Sequence, residues 1–176
     1  MEEALYHPQH GFYTSGQGRT GRNGDFLTPV SPGPVLGELL AIQADELHRI
    51  LGRPKRLRLV EQGADSGRLA RDLLTSVFRK HPELATAAEL HLIEPHPTLQ
   101  EKQMQTLETD GFGKMTRWHA TWELFPADAS PCFFYSCELV DSMPARIFRY
   151  RGGAWREQQV GWNGTDFLWT EGEVDA

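Results

Sequence analysis

The chain has 176 residues, with 18 Lys or Arg against 24 Asp or Glu, a formal net charge of −6, and 39% hydrophobic residues. This length suits one domain, and nine Phe, five Trp and four Tyr are more than a disordered chain carries. The acidic balance argues against a dedicated nucleic-acid binder, no apolar run nears the roughly 20 residues of a membrane span, and the acidic Met1-Glu2-Glu3 start is neither a signal nor a transit peptide.

Residues 1–34 are punctuated by Gly11, Gly16, Gly18, Gly21, Gly24, Pro29, Pro32, Gly33 and Pro34, which reads as an arm and not a core element. From Val35 the pattern turns helical: Leu36, Leu39, Leu40, Leu47, Ile50 and Leu51 fall near helical spacing before Gly52 and Pro54 end the run. Leu57–Glu61 predicts a strand turning at Gly63. Ser66 or Gly67 then opens a second helix with Leu69, Leu73, Leu74, Val77 and Phe78 on its apolar face, and Pro82 lies just beyond it. Glu89–Ile93 predicts a second strand, and Leu99, Gln103 and Leu107 a third helix from about Pro97 to Glu108. A third strand is expected at Lys114–His119. A fourth is expected at Cys132–Ser136, an apolar run of the kind buried on both faces. Ile147–Tyr150, the pair Gly152-Gly153 and Trp155–Val160 read as a β-hairpin. The alternation predicts a parallel sheet with helices on both faces, binding ligands outside the carboxyl ends of its strands. Three units are expected: the arm 1–34, an α/β domain 35–144 and a hairpin extension 145–176.

The informative motifs sit at those strand ends. In Val60-Glu61-Gln62-Gly63-Ala64-Asp65-Ser66-Gly67, Gly63 allows a tight turn and close backbone approach, and Gly67 allows a helix start near a ligand. The segment is either a cofactor-binding loop or a plain turn, and its glycine spacing is not the dinucleotide fingerprint, which leaves a nicotinamide-dependent oxidoreductase poorly supported. Glu94 ends the second strand, where an acid can accept both ribose hydroxyls of a nucleoside or simply compensate a helix N-terminus. Glu138 and Asp141, three apart after the fourth strand, could hold a cation, an amine or a guanidinium, with helix capping by Asp141 as the alternative. Gly24-Asp25-Phe26-Leu27-Thr28 could cap the first helix or cover a site. The seven His and two Cys form no ligand cluster, so no metal site is expected, and two Cys suit a reducing compartment.

Leu5-Tyr6-His7-Pro8-Gln9-His10-Gly11-Phe12-Tyr13, the Gly24–Thr28 stretch and Gly37-Glu38-Leu39-Leu40-Ala41 resemble the opening of the MidA family of S-adenosylmethionine-dependent methyltransferases, relatives of the mitochondrial complex I assembly methyltransferase. Val60–Leu74, His91-Leu92-Ile93-Glu94-Pro95, Trp118-His119 and Cys137–Pro144 resemble later family motifs in the same order. The resemblance implies a Rossmann-like class I methyltransferase fold, a parallel sheet with flanking helices and a C-terminal β-hairpin. It also implies S-adenosylmethionine as cofactor and a protein substrate methylated on arginine. Gly63, Ala64, Asp65 and Gly67 would then face the methionine part, Glu94 would bind the ribose, His119 with Ala120 would lie near the adenine, and Glu61 and Cys137 would also belong to the cofactor-binding set. Glu138 and Asp141 would be catalytic, with Asp25, Phe26, Thr28 and Pro144 on the substrate side as a lid. Asp65 stands where the family has glycine, Ala120 where it has an acid and Cys137 where it has asparagine.

Family members run longer, so the sheet is expected to lack its last strands. The alternative function is a shortened, non-catalytic binding or assembly module. An unpaired edge at the first or fourth strand and the Trp-rich hairpin are expected to meet an assembly partner or a second copy. A cytoplasmic location is expected, or the mitochondrial matrix in a eukaryotic cell.

Overall fold

The computed structural model describes residues 1–15 and 26–173. At its centre is β1 (Leu57–Gln62), whose Leu57, Leu59 and Val60 are inaccessible to solvent. A strand this apolar needs neighbours on each side and cover on each face. β2 (Ala88–Ile93) pairs parallel to one edge of β1, β4 (Cys132–Tyr135) parallel to the other, and β3 (Thr116–His119) pairs outside β2, giving the order β3-β2-β1-β4. Parallel neighbours need crossovers. α3 (Arg68–Lys80) and α4 (Pro82–Ala87) join β1 to β2, and α5 (Pro97–Glu108) joins β2 to β3. The order reverses between β1 and β4, the kind of switch point at which such sheets bind ligands.

One core holds the helices to the sheet. Leu69, Ala70, Leu73, Leu74 and Val77 of α3, Ala41 and Ala44 of α2 (Val35–Ile50), Leu84 of α4 and Leu107 of α5 pack with Leu57, Leu59, Leu90, Leu92 and Tyr135. The register sets Leu59 beside Leu90 and Phe133, and Glu61 beside Leu92 and Tyr135, so Glu61 shares the helix-covered face. α2 reaches α3 through Gly37, where an added Cβ would come within 2.7 Å of Asp72 Cβ and Leu73 N.

The α-helices that share this core, α2 to α5, therefore lie on one face of the sheet, not two. On the other face the β3–β4 connection, residues 120–131, supplies the cover. Arg58, 2% exposed, points into it and donates to the carbonyls of Pro126 (2.7 Å), Asp128 (3.2 Å) and Ser130 (2.6 Å). Its guanidinium also lies 4.7 Å from the Phe125 ring centre.

Several expectations are corrected. β4 is not buried on both faces: only Tyr135 is, while Cys132 and Phe134 are exposed, because among the described residues no strand pairs with its outer edge. The unpaired edge thus falls on β4, and β1 is central. Pro82, read as lying beyond a helix end, starts α4, since proline is accommodated in a first turn. The third strand begins at Thr116, after a 3-10 turn over Gly113–Met115. The arm contains α1 (Glu2–Tyr6). The hairpin gains a third strand, so β5 (Ile147–Arg151), β6 (Ala154–Trp162) and β7 (Phe167–Gly172) form an antiparallel sheet. Gly152 and Gly153 take φ of +62° and +83° at its first turn, the hand that matches strand twist.

Gly37→Ala tests the α2–α3 contact. Helix propensity favours alanine by about 1 kcal/mol, but the crowding is against backbone and Cβ atoms that cannot swing away, and overpacking costs about 1–3 kcal/mol. We expect a net loss near 1 kcal/mol in urea unfolding; a gain would show that the helices separate freely.

Candidate functional site

Because the strands run in parallel, the segments following β1, β2 and β4 meet at one edge of the sheet. They surround a cavity of about 560 Å³, within the range of small-molecule sites. Gln62, Gly63 and Asp65 come from the β1–α3 loop, Ile93–His96 and Leu99 from the β2–α5 region, and Cys137–Leu139 and Asp141–Pro144 from the segment after β4. Tyr6, Tyr13, Phe26 and Thr28 of the arm close the remaining side, with Glu2.

The β1–α3 loop is built from left-handed residues. Gly63 has φ of +76°, and a Cβ there would lie 2.8 Å from Leu139 Cδ1. Gly67, φ +79°, is the residue before α3, and its missing side chain lets α5 approach: a Cβ would lie 3.2 Å from Gln103 Cα. Asp65 has φ of +44°, a conformation aspartate tolerates better than most side chains. That is how an acid occupies a position where glycine is usual. Its Oδ1 lies 3.2 Å from Lys102 Nζ.

Glu61 is 1% exposed under this loop. Burial pushes its carboxyl up to about 8, with the Tyr135 hydroxyl opposing that rise and the Asp65 charge adding to it. The hydroxyl does not complete a hydrogen bond to Oε2, which has no partner, nor does the Tyr135 OH. Glu61 borders a smaller recess with Ala64, Asp65, Ser66, Arg68, Thr28 and Ser31. A buried carboxyl lacking donors suits a ligand that brings a cationic or N–H group.

Glu94, 4% exposed, ends β2. Its Oε1 accepts the His96 backbone N–H at 3.0 Å and its Oε2 the Gln103 amide at 3.1 Å. Burial raises its pKa, and these two donors oppose the rise.

Across the cavity stand carboxylates and aromatic rings. Glu138, held at φ +50°, and Asp141 follow β4. The Tyr6 ring stacks on His96 (4.8 Å, 6°) and on Tyr13 (5.5 Å, 26°), and its hydroxyl donates to Ser142 O at 2.8 Å. Burial raises the Tyr13 pKa, and the nearby Tyr6, Asp141, Asp65 and Glu138 add to it. Acids facing aromatic faces make a wall suited to a cation.

Of the residues expected at a site, Gly63, Asp65, Glu94, Cys137, Glu138, Asp141, Phe26, Thr28 and Pro144 line the cavity, and Glu61 and Ala64 line the adjoining recess. Gly67, His119 and Ala120 line neither; Asp25 lies outside the described residues. The His119 ring turns away to stack on His91 (5.1 Å, 8°). Its Nδ1, 3.2 Å from Leu124 O, must be the donor there because a carbonyl only accepts, so Nε2 accepts from His91 Nδ1 at 2.8 Å. His91 itself is pushed down to about 4, by burial first. Tyr6, Tyr13, His96 and Gln103 were not foreseen. Tyr6 and Tyr13 fall in the Leu5–Tyr13 motif that carries the family resemblance, though without a role, and Gln103 left a trace as a polar residue between Leu99 and Leu107 on an apolar helix face.

Residues 39–176 match a family model described as "Putative S-adenosyl-L-methionine-dependent methyltransferase", and the chain belongs to that family, in agreement with the MidA resemblance of its motifs. It is 30% identical to the Drosophila melanogaster protein arginine methyltransferase NDUFAF7 homolog, mitochondrial, over 89% of this chain and 39% of that one. It is 29% identical to the Xenopus tropicalis protein arginine methyltransferase NDUFAF7, mitochondrial, over 89% and 40%. The chain thus spans about two fifths of the length of these curated relatives. A crystal structure of a Burkholderia thailandensis protein bound to S-adenosyl-homocysteine superimposes with a TM-score of 0.78 at 24% identity, over 99% of this chain and 44% of that one, and shows the same fold.

Glu61 makes a testable contribution to stability. With a folded pKa near 8 against 4.5 unfolded, the folded state keeps a proton that the unfolded chain releases. The resulting stabilisation is complete below pH 4.5 and is lost as pH rises to about 8, a few kcal/mol in all. Glu61→Gln stays neutral, so its melting temperature relative to wild type should climb between pH 5 and 8. A flat difference would show that the buried carboxyl is already ionised.

Proposed function

We propose that this chain carries the cofactor-binding part of an S-adenosylmethionine-dependent methyltransferase that modifies arginine in a protein. The observation that carries the reading is one cavity, at the carboxyl ends of β1, β2 and β4, bounded by a buried carboxylate at the end of β2 and by an acidic, aromatic wall opposite. The orphaned Oε2 of Glu61 beside the glycine loop fits a ligand that brings an ammonium group. When bound, the cofactor supplies a methyl group on a sulfonium, ready for in-line attack.

In this reading Gly63, Ala64 and Asp65 admit the methionine end, with Glu61 beneath, and Cys137 sits beside them. Glu94 takes the ribose hydroxyls with the lone pairs that His96 and Gln103 leave free. His119 and Ala120 stand at the adenine end through the backbone, since the Glu94 N–H donates to His119 O at 2.9 Å. A guanidinium is protonated at neutral pH, so the acids have two tasks. Glu138 and Asp141 orient it by charge-assisted bonds and receive the proton as the nitrogen takes the methyl group. Tyr13 borders the flat cation from the arm, held by Tyr6, whose own ring stacks on it and on His96, with Phe26, Thr28 and Pro144 on the substrate side. The named activity of the relatives supports the choice of arginine. Those relatives are named mitochondrial, and no helix among the described residues is long and apolar enough to cross a membrane. We assign the chain to the cytoplasm, or to the mitochondrial matrix in a eukaryotic cell.

Titration calorimetry with S-adenosylhomocysteine tests the cofactor half: micromolar binding is expected, and none at millimolar ligand sinks the reading. Glu138→Gln tests the other half. It should leave that affinity within about threefold of wild type and lower methyl transfer to an arginine-bearing protein by at least about a hundredfold, the scale of losing a charge-assisted contact made in the transition state. Unchanged turnover would remove Glu138 from the chemistry.

A further inference from the structure

We propose that Gln103 is a positioning residue, whose single buried amide holds the glycine loop and the Glu94 carboxylate in the arrangement that the cofactor requires. This rests on the reading of the cavity as the S-adenosylmethionine site.

Gln103 is 0% exposed and occupies a core position of α5, where an apolar side chain would pack without needing partners. Burying an amide is costly unless its donors and its acceptor find partners, and here both N–H groups and the oxygen have one. Trp118 Nε1–H donates to Oε1 at 3.0 Å. An indole nitrogen only donates, which identifies that atom as the oxygen and leaves Nε2 as the donor. Nε2 gives one N–H to the backbone carbonyl of Asp65 at 3.2 Å and the other to Glu94 Oε2 at 3.1 Å. One side chain thereby joins the loop after β1, the carboxylate after β2 and the ring on β3. Behind it, the Gln103 backbone fills the space beside Gly67, and Lys102 pairs with the Asp65 carboxylate. The amide and the His96 N–H each occupy one oxygen of Glu94, so the carboxylate cannot rotate and keeps its remaining lone pairs towards the cavity.

Gln103→Glu isolates this role. The variant can still accept from Trp118, but it faces Glu94 Oε2 and Asp65 O with a carboxyl in place of a donor. The other charged or titratable neighbours are unchanged: Asp65, Lys102 through Asp65, and His96, whose backbone bonds Glu94 and whose ring stacks on Tyr6. The two buried carboxyls share one proton at pH 5 and pH 8 alike, because like charges this close cannot both ionise, and the shared proton restores a donor towards Glu94.

The measurement is calorimetric affinity for S-adenosylhomocysteine, expressed as the ratio of variant to wild type at each pH, with melting temperatures recorded alongside. For Gln103→Glu we expect a ratio within about threefold of one at both pH values, since the shared proton keeps the contact with Glu94. Gln103→Met, similar in volume and free of donors, leaves Trp118 Nε1, Asp65 O and Glu94 Oε2 without this partner, so it should melt below wild type and, at a temperature where both are folded, bind at least tenfold more weakly at both values. A Gln103→Glu loss as large as that of Gln103→Met, or one that tracks the melting temperature, overturns the positioning role. So does wild-type affinity in Gln103→Met. Failure of the wild-type chain to bind at either pH removes the cofactor reading instead, and this inference with it.

Discussion

Parallel pairing of β1 with β2 on one side and β4 on the other determines almost everything about the cavity. Residues far apart in the chain, Gly63, Glu94 and Glu138, come to one edge because the strands that deliver them point the same way. The pairing demands a buried central strand, and Leu57, Leu59 and Val60 meet that demand. It also has a cost: Glu61 lies on the same face two residues beyond Leu59, so the packing that secures β1 also draws a carboxyl out of water.

The sheet's two ends handle buried polarity in opposite ways. At the amino end, Arg58 spends its terminal nitrogens on three carbonyls of residues 126–130 and pairs with Asp128 at 3.2 Å. Those bonds fasten the β3–β4 connection over the face that the core helices leave open, although Arg58 Nε is left without a partner. At the carboxyl end, Gln103 spends both amide protons and its oxygen on protein partners, whereas Glu61 Oε2 and the Tyr135 hydroxyl have none. An unpaired polar atom in a core costs roughly 1–3 kcal/mol. Other buried atoms also go unpaired, His48 Nδ1, Ser76 Oγ and His91 Nε2 among them; Glu61 differs in bordering the recess beside the glycine loop, and that position gives its cost a functional meaning.

Sequence patterning revealed the elements whose identity is local. The periodicity of Leu69, Leu73, Leu74 and Val77, the run Leu57–Glu61 and the Gly152-Gly153 turn report on one helix face, one strand and one hairpin, and each is present. What patterning missed depends on distant partners. Cys132–Tyr135 is as apolar as a central strand, and nothing local shows that its outer edge goes unpaired. Tyr6 and Tyr13 sit in a segment whose glycines and prolines suggest a mere arm; their importance comes from His96 and Ser142, which no spacing rule connects to them. His119 could be placed on its strand, but not which way its ring would turn, because that is decided by His91 and Leu124. Gln103 was legible as an anomaly on an apolar face and no further, since its three partners lie on three other segments.

Two residues that line the cavity, Asp65 and Glu138, hold positive φ without being glycine. The left-handed conformation costs a side chain roughly 1–2 kcal/mol, and local strain of this size persists only where surrounding structure enforces it. At Asp65 the surroundings are visible: Lys102 pairs with the carboxylate while Gln103 holds the carbonyl. Glu138 follows the short strand β4, and its backbone turns so that the side chain borders the cavity instead of continuing the sheet. Glycine would relieve the strain at either position and forfeit the charge. Both acids therefore trade stability for a carboxylate at a strand end, as Glu61 does through burial, and all three costs converge on the same small volume.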